Sequence, residues 1–167
     1  MQRVLILGCS GSGKSTLARR LGEVTGLPVI HLDQHYWQPG WVPPVTAAWH
    51  ARVAELAASP RWIMDGNYTA TLPGRIAVAD TFVCLDLPTW RCMVRMLGRT
   101  MIGLGRVRRD AAPGCRDHIS WELIDYVRTY RRMRRPAVLA SLSGFPGRRV
   151  LLRDQAEITR FIESARS

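Results

Sequence analysis

Few folds are open to a chain that places Gly8-Cys9-Ser10-Gly11-Ser12-Gly13-Lys14-Ser15 where this one does. The loop lies between an apolar run, Val4-Leu5-Ile6-Leu7, and a segment with Leu17, Ala18, Leu21 and Val24 at helical spacing. Glycine reaches backbone angles closed to other residues, so successive N–H groups of such a loop can turn inward around an anion. A helix starting where the loop ends adds its own unpaired N–H groups and the positive end of its dipole. The stretch fits G-x-x-x-x-G-K-[ST], with the strand before and the helix after that a phosphate-binding loop requires. Lys14 is then placed to reach the β- and γ-phosphates of a nucleoside triphosphate, and Ser15 to ligate Mg²⁺. Gly8, Ser10, Gly11, Ser12, Gly13, Lys14, Ser15 and Thr16 are the expected nucleotide ligands. A dinucleotide loop is the nearest rival, because Asp33 stands about 20 residues on, where its ribose acid would be. Its pattern G-x-G-x-x-G fails: counted from Gly8 the second glycine is Ser10, and counted from Gly11 the third is Thr16.

A chain of 167 residues, 47% of them apolar, is expected to form one domain, 1–167. Its net charge of +11 favours anionic partners. Of the 24 basic residues 23 are Arg, and the single Lys is Lys14, at the one place where a slim, flexible ammonium matters. Cys9, Cys84, Cys92 and Cys115 show neither CxxC pairing nor metal-ligand spacing, which fits thiols in a reducing cytoplasm. No apolar run approaches the length of about 20 residues that spans a bilayer. The N-terminus runs straight into a strand without a charged leader and apolar core, so a cytoplasmic location is expected.

Beyond the loop, strand and helix patterns alternate. Pro28–Leu32, Arg61–Met64, Thr81–Leu85 and Arg149–Leu152 read as short buried strands. A helix after Thr46 carries Trp49, Val53 and Leu56, and another has the stripe Trp90, Met93, Val94, Leu97 and Met101. Residues 103–117 read as an arginine-bearing loop, 118–142 as one long helix and 157–165 as a last helix. Such alternation predicts an α/β fold, a parallel sheet with helices on both faces, with ligands beyond the carboxyl ends of the strands. Asp33, Asp65 and Asp86 each follow or end one of those strands.

Read together, His31-Leu32-Asp33, Tyr36-Trp37, Asp65-Gly66-Asn67-Tyr68 and Leu85-Asp86-Leu87-Pro88 with Trp90 carry a resemblance. With the phosphate loop and Arg95-Met96-Leu97-Gly98-Arg99, they resemble the nucleoside-monophosphate-kinase group of P-loop proteins over essentially the whole chain. More closely, the chain is similar to the adenylate-kinase-like proteins known as DNA topology modulation proteins. The resemblance implies a P-loop NTPase fold with a five-stranded parallel sheet, a helical substrate insert at about 34–60 and an Arg-rich lid with the long helix at about 100–135. It also implies a kinase, a transferase that uses ATP and Mg²⁺.

Phosphoryl transfer rests on positioning and charge neutralisation. Asp65, ending a strand expected beside the P-loop strand, suits a carboxylate that holds a water on the metal; capping a turn is the alternative. Asp86 ahead of Pro88 suits a helix N-cap. Arg91, Arg95 and Arg99 share one helix face. Arg95 and Arg99 resemble the lid arginines that touch phosphates, and Arg106, Arg108 and Arg109 then lie on the lid. Arg128, Arg131, Arg132, Arg134 and Arg135 suit a solvated basic face, or a nucleic-acid-associated regulator whose arginines meet phosphates of DNA or RNA.

The acceptor remains divided. Asp33 resembles the substrate Asp of small-metabolite kinases, where it meets a hydroxyl. Arg75 is the next arginine after "DGNY" and, by the resemblance, the acceptor-phosphate arginine. Asn67, Tyr36 and Trp37 complete the candidate substrate site, the two aromatics also suiting a core under the insert. A carboxylate facing a hydroxyl helps remove its proton, whereas a monophosphate is already anionic and needs arginine. With the overall charge favouring anions, a nucleoside monophosphate or similar small acceptor is expected, with a nucleoside or other hydroxyl metabolite as the alternative.

Overall fold

β1 (Arg3–Gly8) is the strand around which the others are arranged. Val4, Leu5, Ile6 and Leu7 are each 0% exposed, a run that only a strand covered on both faces accommodates. In the computed structural model, which describes residues 1–107 and 110–166, β1 pairs in parallel with β3 (Trp62–Asp65) on one side and β4 (Thr81–Leu85) on the other. β2 (Val29–His31) lies outside β3, and β5 (Arg148–Leu152) outside β4. The order β2-β3-β1-β4-β5 is the five-stranded parallel sheet expected from the sequence. Arg108 and Arg109, expected on the lid, lie outside the described residues.

Side chains alternate between two cores. Val4, Ile6, Ile63 and Val83 pack against α1 (Lys14–Thr25), α5 (Thr89–Gly103), α6 (Trp121–Met133) and α8 (Gln155–Ser164). Leu5, Leu7, Met64 and Phe82 pack against α3 (Thr46–Ala58), α4 (Leu72–Val78) and α7 (Arg135–Ser143). The short helix α2 (Leu32–Tyr36) follows β2 without a break, so Asp33 lies in a first helical turn.

Two expectations are corrected. The long helix of 118–142 is two helices meeting at Arg134. Pro136 has no N–H and its ring collides with the carbonyl four residues back, so a straight helix cannot run through it. The break has a consequence for packing: Val127 and Tyr130 of α6 serve one core, and Val138 and Leu142 of α7 the other. The stripe expected on α5 is out of phase. Cys92, Met96 and Thr100 are buried, Met93 and Leu97 flank them, and Trp90, Val94 and Met101 are exposed. What faces inward on α5 is set by its fit against the phosphate loop, since a Cβ on Gly11 would come 2.1 Å from the Cys92 carbonyl oxygen.

The segment between α5 and α6 reaches across to the chain after α2. Trp41 Nε1 donates to the Arg116 carbonyl at 2.8 Å, Gly40 N–H to Gly114 O at 3.3 Å, and the Cys115 thiol to Gln38 O at 3.1 Å. The Trp41 ring also meets His118 edge to face at 6.0 Å. No helix among the described residues is long and apolar enough to cross a membrane.

Asp80 closes the amino end of the sheet. Its Oδ2 accepts the N–H groups of Gln2 at 2.6 Å and Arg3 at 2.8 Å, and its Oδ1 accepts the Thr81 hydroxyl at 2.7 Å. Burial alone would raise its pKa, but the bonds from Thr81, Arg3 and Gln2 and the terminal ammonium hold it below the usual value. A carboxylate held down in the folded state contributes stability above its unfolded pKa and loses it as pH falls through the folded pKa. Asp80→Asn is therefore expected to lower the thermal midpoint at pH 7. The gap to the parent should shrink as the pH is taken below the ordinary aspartate value of about 3.9 and through the lower folded-state value, read by calorimetry across that range.

Candidate functional site

The phosphate loop bridges β1 and α1. Gly8, Gly11 and Gly13 have φ of 152°, 78° and 97°, which side-chain-bearing residues rarely adopt. A Cβ on Gly8 would lie 2.6 Å from the Leu85 carbonyl oxygen, so the loop is pressed onto β4 as well as α5. Gly13 caps α1, leaving the first N–H groups of Lys14, Ser15 and Thr16 without partners of their own helix. Lys14 Nζ donates to the Cys9 carbonyl at 3.0 Å, folded back across the loop. Ser12 Oγ is fully buried and has no hydrogen-bond partner among the described residues. Glycines, an arched lysine and a free helix start make up a cradle for phosphate oxygens.

Beside the loop, β3 ends on Asp65, which is 4% exposed and in register with Ile6 of β1 and His31 of β2. His31 Nδ1 lies 2.7 Å from Asp65 Oδ1. Burial opposes protonation of this imidazole, but the bond to Asp65 and its charge outweigh that and raise the His31 pKa above its ordinary value. Asp65 thus belongs to a buried pair at the end of a strand.

The next three residues are stitched to their surroundings. Gly66 N–H donates to Ile6 O at 3.3 Å, continuing the β1 ladder. The Asn67 amide then pairs with both backbone groups of Gly8, accepting from its N–H at 3.1 Å and donating to its carbonyl at 2.9 Å. The Tyr68 hydroxyl donates to Asp33 Oδ1 at 2.6 Å. Beneath them Arg75, 0% exposed, donates to the carbonyls of Gly66 at 2.9 Å, Asn67 at 2.7 Å and Tyr68 at 2.9 Å. Burial lowers its pKa to about 10, which leaves it a cation at neutral pH.

These contacts change three expectations, those for Arg75, Asn67 and Asp86. Arg75 does not face an acceptor; its guanidinium is spent on the 66–68 carbonyls. Asn67 is directed at Gly8 and Tyr126, where it braces the loop. Tyr36 packs edge to face on Trp37 at 4.8 Å and on Trp49 at 4.9 Å, and lies 4.6 Å from the Tyr68 ring, so both aromatics belong to a packed cluster that reaches Asp33 through the Tyr68 hydroxyl. Asp86 is not an N-cap: Pro88 has that position, and Asp86 receives Arg135 side-on at 2.6 and 2.7 Å.

Arg95 and Arg99 come to the loop. They border a cleft of about 270 Å³ with Gly13, Thr16 and Arg20, closed on the far side by α8. A Cβ on Gly13 would lie 3.9 Å from Arg95 Nη1, so this guanidinium stands over the loop's mouth, with Nη2 3.4 Å from Gln155 Oε1. Of the helix-face arginines, Arg128 pairs with Asp125 at 2.7 Å, Arg134 lies over the Tyr126 ring at 4.5 Å, and Arg135 holds Asp86. Sequence spacing missed His31, Tyr126 and Gln155; the register of β2 with β3 is the signal for the first, and no local pattern announces the others.

No family model matches this sequence, and no curated protein matches it. Solved structures do share its fold. One is a shikimate kinase from Acinetobacter baumannii in complex with shikimate, with TM-score 0.62 and 14% identity, covering 98% of this chain and 90% of that one. Another is a shikimate kinase from Bacteroides thetaiotaomicron, with TM-score 0.59 and 15% identity, covering 98% and 95%. This chain shares with both the architecture of a parallel sheet covered by helices on its two faces.

A buried cation that organises a loop differs in its mutational signature from a substrate ligand. Arg75→Ala removes a donor from three carbonyls, of which that of Tyr68 keeps the N–H and hydroxyl of Thr71 at 3.1 Å, and should destabilise the fold by about 3 kcal/mol. That corresponds to a fall on the order of 10 °C in thermal midpoint. Calorimetry of the variant without substrate checks it, because loss of an acceptor ligand alone would leave the midpoint in place.

Proposed function

We propose that this protein is a phosphotransferase that moves the γ-phosphoryl group of ATP to a hydroxyl of a small acceptor. The observation that carries the reading is the convergence of the phosphate loop with two differently held carboxylates, Asp65 and Asp33, at the carboxyl ends of β1, β3 and β2. The loop's inward N–H groups and Lys14 bind and orient the triphosphate, and Arg95 and Arg99 supply charge where the transferring group becomes most anionic. A hydroxyl at Ser15 and a carboxylate at Asp65 are the hard oxygen donors Mg²⁺ takes, so these two would hold it. When bound, the metal neutralises charge on the phosphate oxygens.

Asp33 supports the hydroxyl acceptor. It is half-buried and accepts the Tyr68 hydroxyl at the edge of the Tyr36–Trp37–Tyr68 cluster, at the carboxyl end of β2, a place from which a carboxylate can orient an alcohol and take its proton. The cation expected for a monophosphate acceptor, Arg75, is withdrawn into the fold, which weighs against that substrate. The fold relatives named above act on a hydroxylated small molecule, shikimate, in line with this reading. A nucleic-acid-associated role finds less support, since Arg128, Arg134 and Arg135 of the basic face are already engaged within the chain.

The test is an ATP-consumption screen against nucleosides, nucleoside monophosphates, polyols, hydroxy acids and DNA. Turnover with a hydroxyl acceptor is expected, and turnover with monophosphates alone would overturn the assignment. Against the acceptor found, Asp33→Asn should lower kcat by about 10²-fold or more. Lys14→Arg should fail nearly as badly as Lys14→Ala, because a planar guanidinium does not fit a slot shaped for a point charge.

A further inference from the structure

His31 and Asp65 are the last residues of adjacent parallel strands and sit directly opposite one another in register. Two residues earlier in each strand, Val29 and Ile63 pack with Leu17 and Leu21 of α1, while Ile30 and Met64 belong to the opposite core. By strand alternation, His31 and Asp65 face the α1 side, the helix that opens with Lys14-Ser15. Both are buried, at 8% and 4% exposure, and a buried carboxylate needs a hydrogen-bonded partner. A carboxylate oxygen only accepts, so at 2.7 Å the imidazole Nδ1 is the donor and carries the hydrogen.

We propose that His31 is the positioning residue of this site: its Nδ1–H pins Oδ1 of Asp65 and so presents the carboxylate to Mg²⁺ in one preset orientation. The inference rests on the reading of Asp65 as the metal-side carboxylate given above. An oxygen already engaged by an N–H is disfavoured for chelation, so Asp65 offers a single-point contact, direct or through water. That suits an ion that demands near-ideal octahedral geometry and keeps several of its waters. Partners that orient a ligand in this way typically change metal affinity or activity by about 10- to 100-fold when removed. His31 touches neither nucleotide nor acceptor in this assignment; it acts only through Asp65.

The experiment needs no acceptor. Mg²⁺ is titrated by calorimetry into the full-length protein carrying adenylyl imidodiphosphate, a non-hydrolysable ATP analogue, after the analogue's affinity has been measured in EDTA. His31→Leu should raise half-saturating Mg²⁺ about tenfold or more, with metal-free analogue affinity unchanged. His31→Asn places an N–H the same number of bonds from the backbone as Nδ1 and should restore a near-parental titration. His31→Gln, one bond longer, should not. A parental response in His31→Leu, or equal impairment in the Asn and Gln variants, overturns the proposal. Should His31→Leu fail to fold, the Asn and Gln pair decides alone. Asp65→Asn separates the two levels: if it keeps the parental Mg²⁺ response, the reading of Asp65 is what fails. If it loses that response while His31→Leu keeps it, only the role of His31 falls.

Discussion

The site depends on a charge that never reaches it. Arg75 is wholly buried, and its guanidinium meets the carbonyls of Gly66, Asn67 and Tyr68. Bringing such an ion out of water costs several kcal/mol, offset here by three oriented carbonyl dipoles. In return the loop after β3 is braced along three successive carbonyls, even with Tyr68 at φ 27° and Gly66 at φ 130°. From that loop Asn67 reaches Gly8 at the base of the phosphate loop, and Tyr68 reaches Asp33 on the acceptor side. One cation thereby sets the distance between the two halves of the proposed reaction. Its Nε has no hydrogen-bond partner among the described residues, so the compensation they provide is incomplete. A hydrophobic replacement of the same shape would restore neither the dipoles' partner nor the loop.

Which parts of this were legible beforehand follows from where the information lies in the chain. The phosphate loop is contiguous, and its glycines, lysine and serine declare their purpose at fixed spacing. The strands are short apolar runs, so the sheet and its helices on both faces could be read directly. Arg75 could not be, because nothing local distinguishes an arginine that caps three carbonyls from one that waits for a phosphate. Its helix, α4, begins Leu72-Pro73-Gly74 and is only 7 residues long, too brief for periodicity to show its buried side. The α6–α7 break was readable from Pro136 alone. The phase of α5 was not, because hydrophobicity favours Trp90 and Val94, whereas closeness to the loop backbone selects Cys92 and Met96.

Charge has a similar lesson. A net charge of +11 invites an external anion, yet several of the arginines have partners within the molecule: Arg135 on Asp86, Arg128 on Asp125, Arg134 on an aromatic face and Arg75 on carbonyls. Arginine suits each place because its planar fork serves carboxylates, rings and paired carbonyls alike, at a pKa that burial cannot bring to neutrality. The lysine at position 14 stands apart from all of these. A compact ammonium at the end of a flexible stem can follow a phosphate through a reaction, which a fork fitted to fixed partners cannot do.

The contact between residues 114–118 and the chain around Gln38–Trp41 has a mechanical meaning. α5 carries Arg95 and Arg99, and residues 114–116, ahead of α6, are fastened by Trp41, Gly40 and Gln38 to the chain that follows Asp33. A fastening of this kind transmits displacement in either direction. Under the proposed function, a shift of the helices beside the phosphate loop would load these three hydrogen bonds, and by linkage a shift on the Asp33 side would be felt in return.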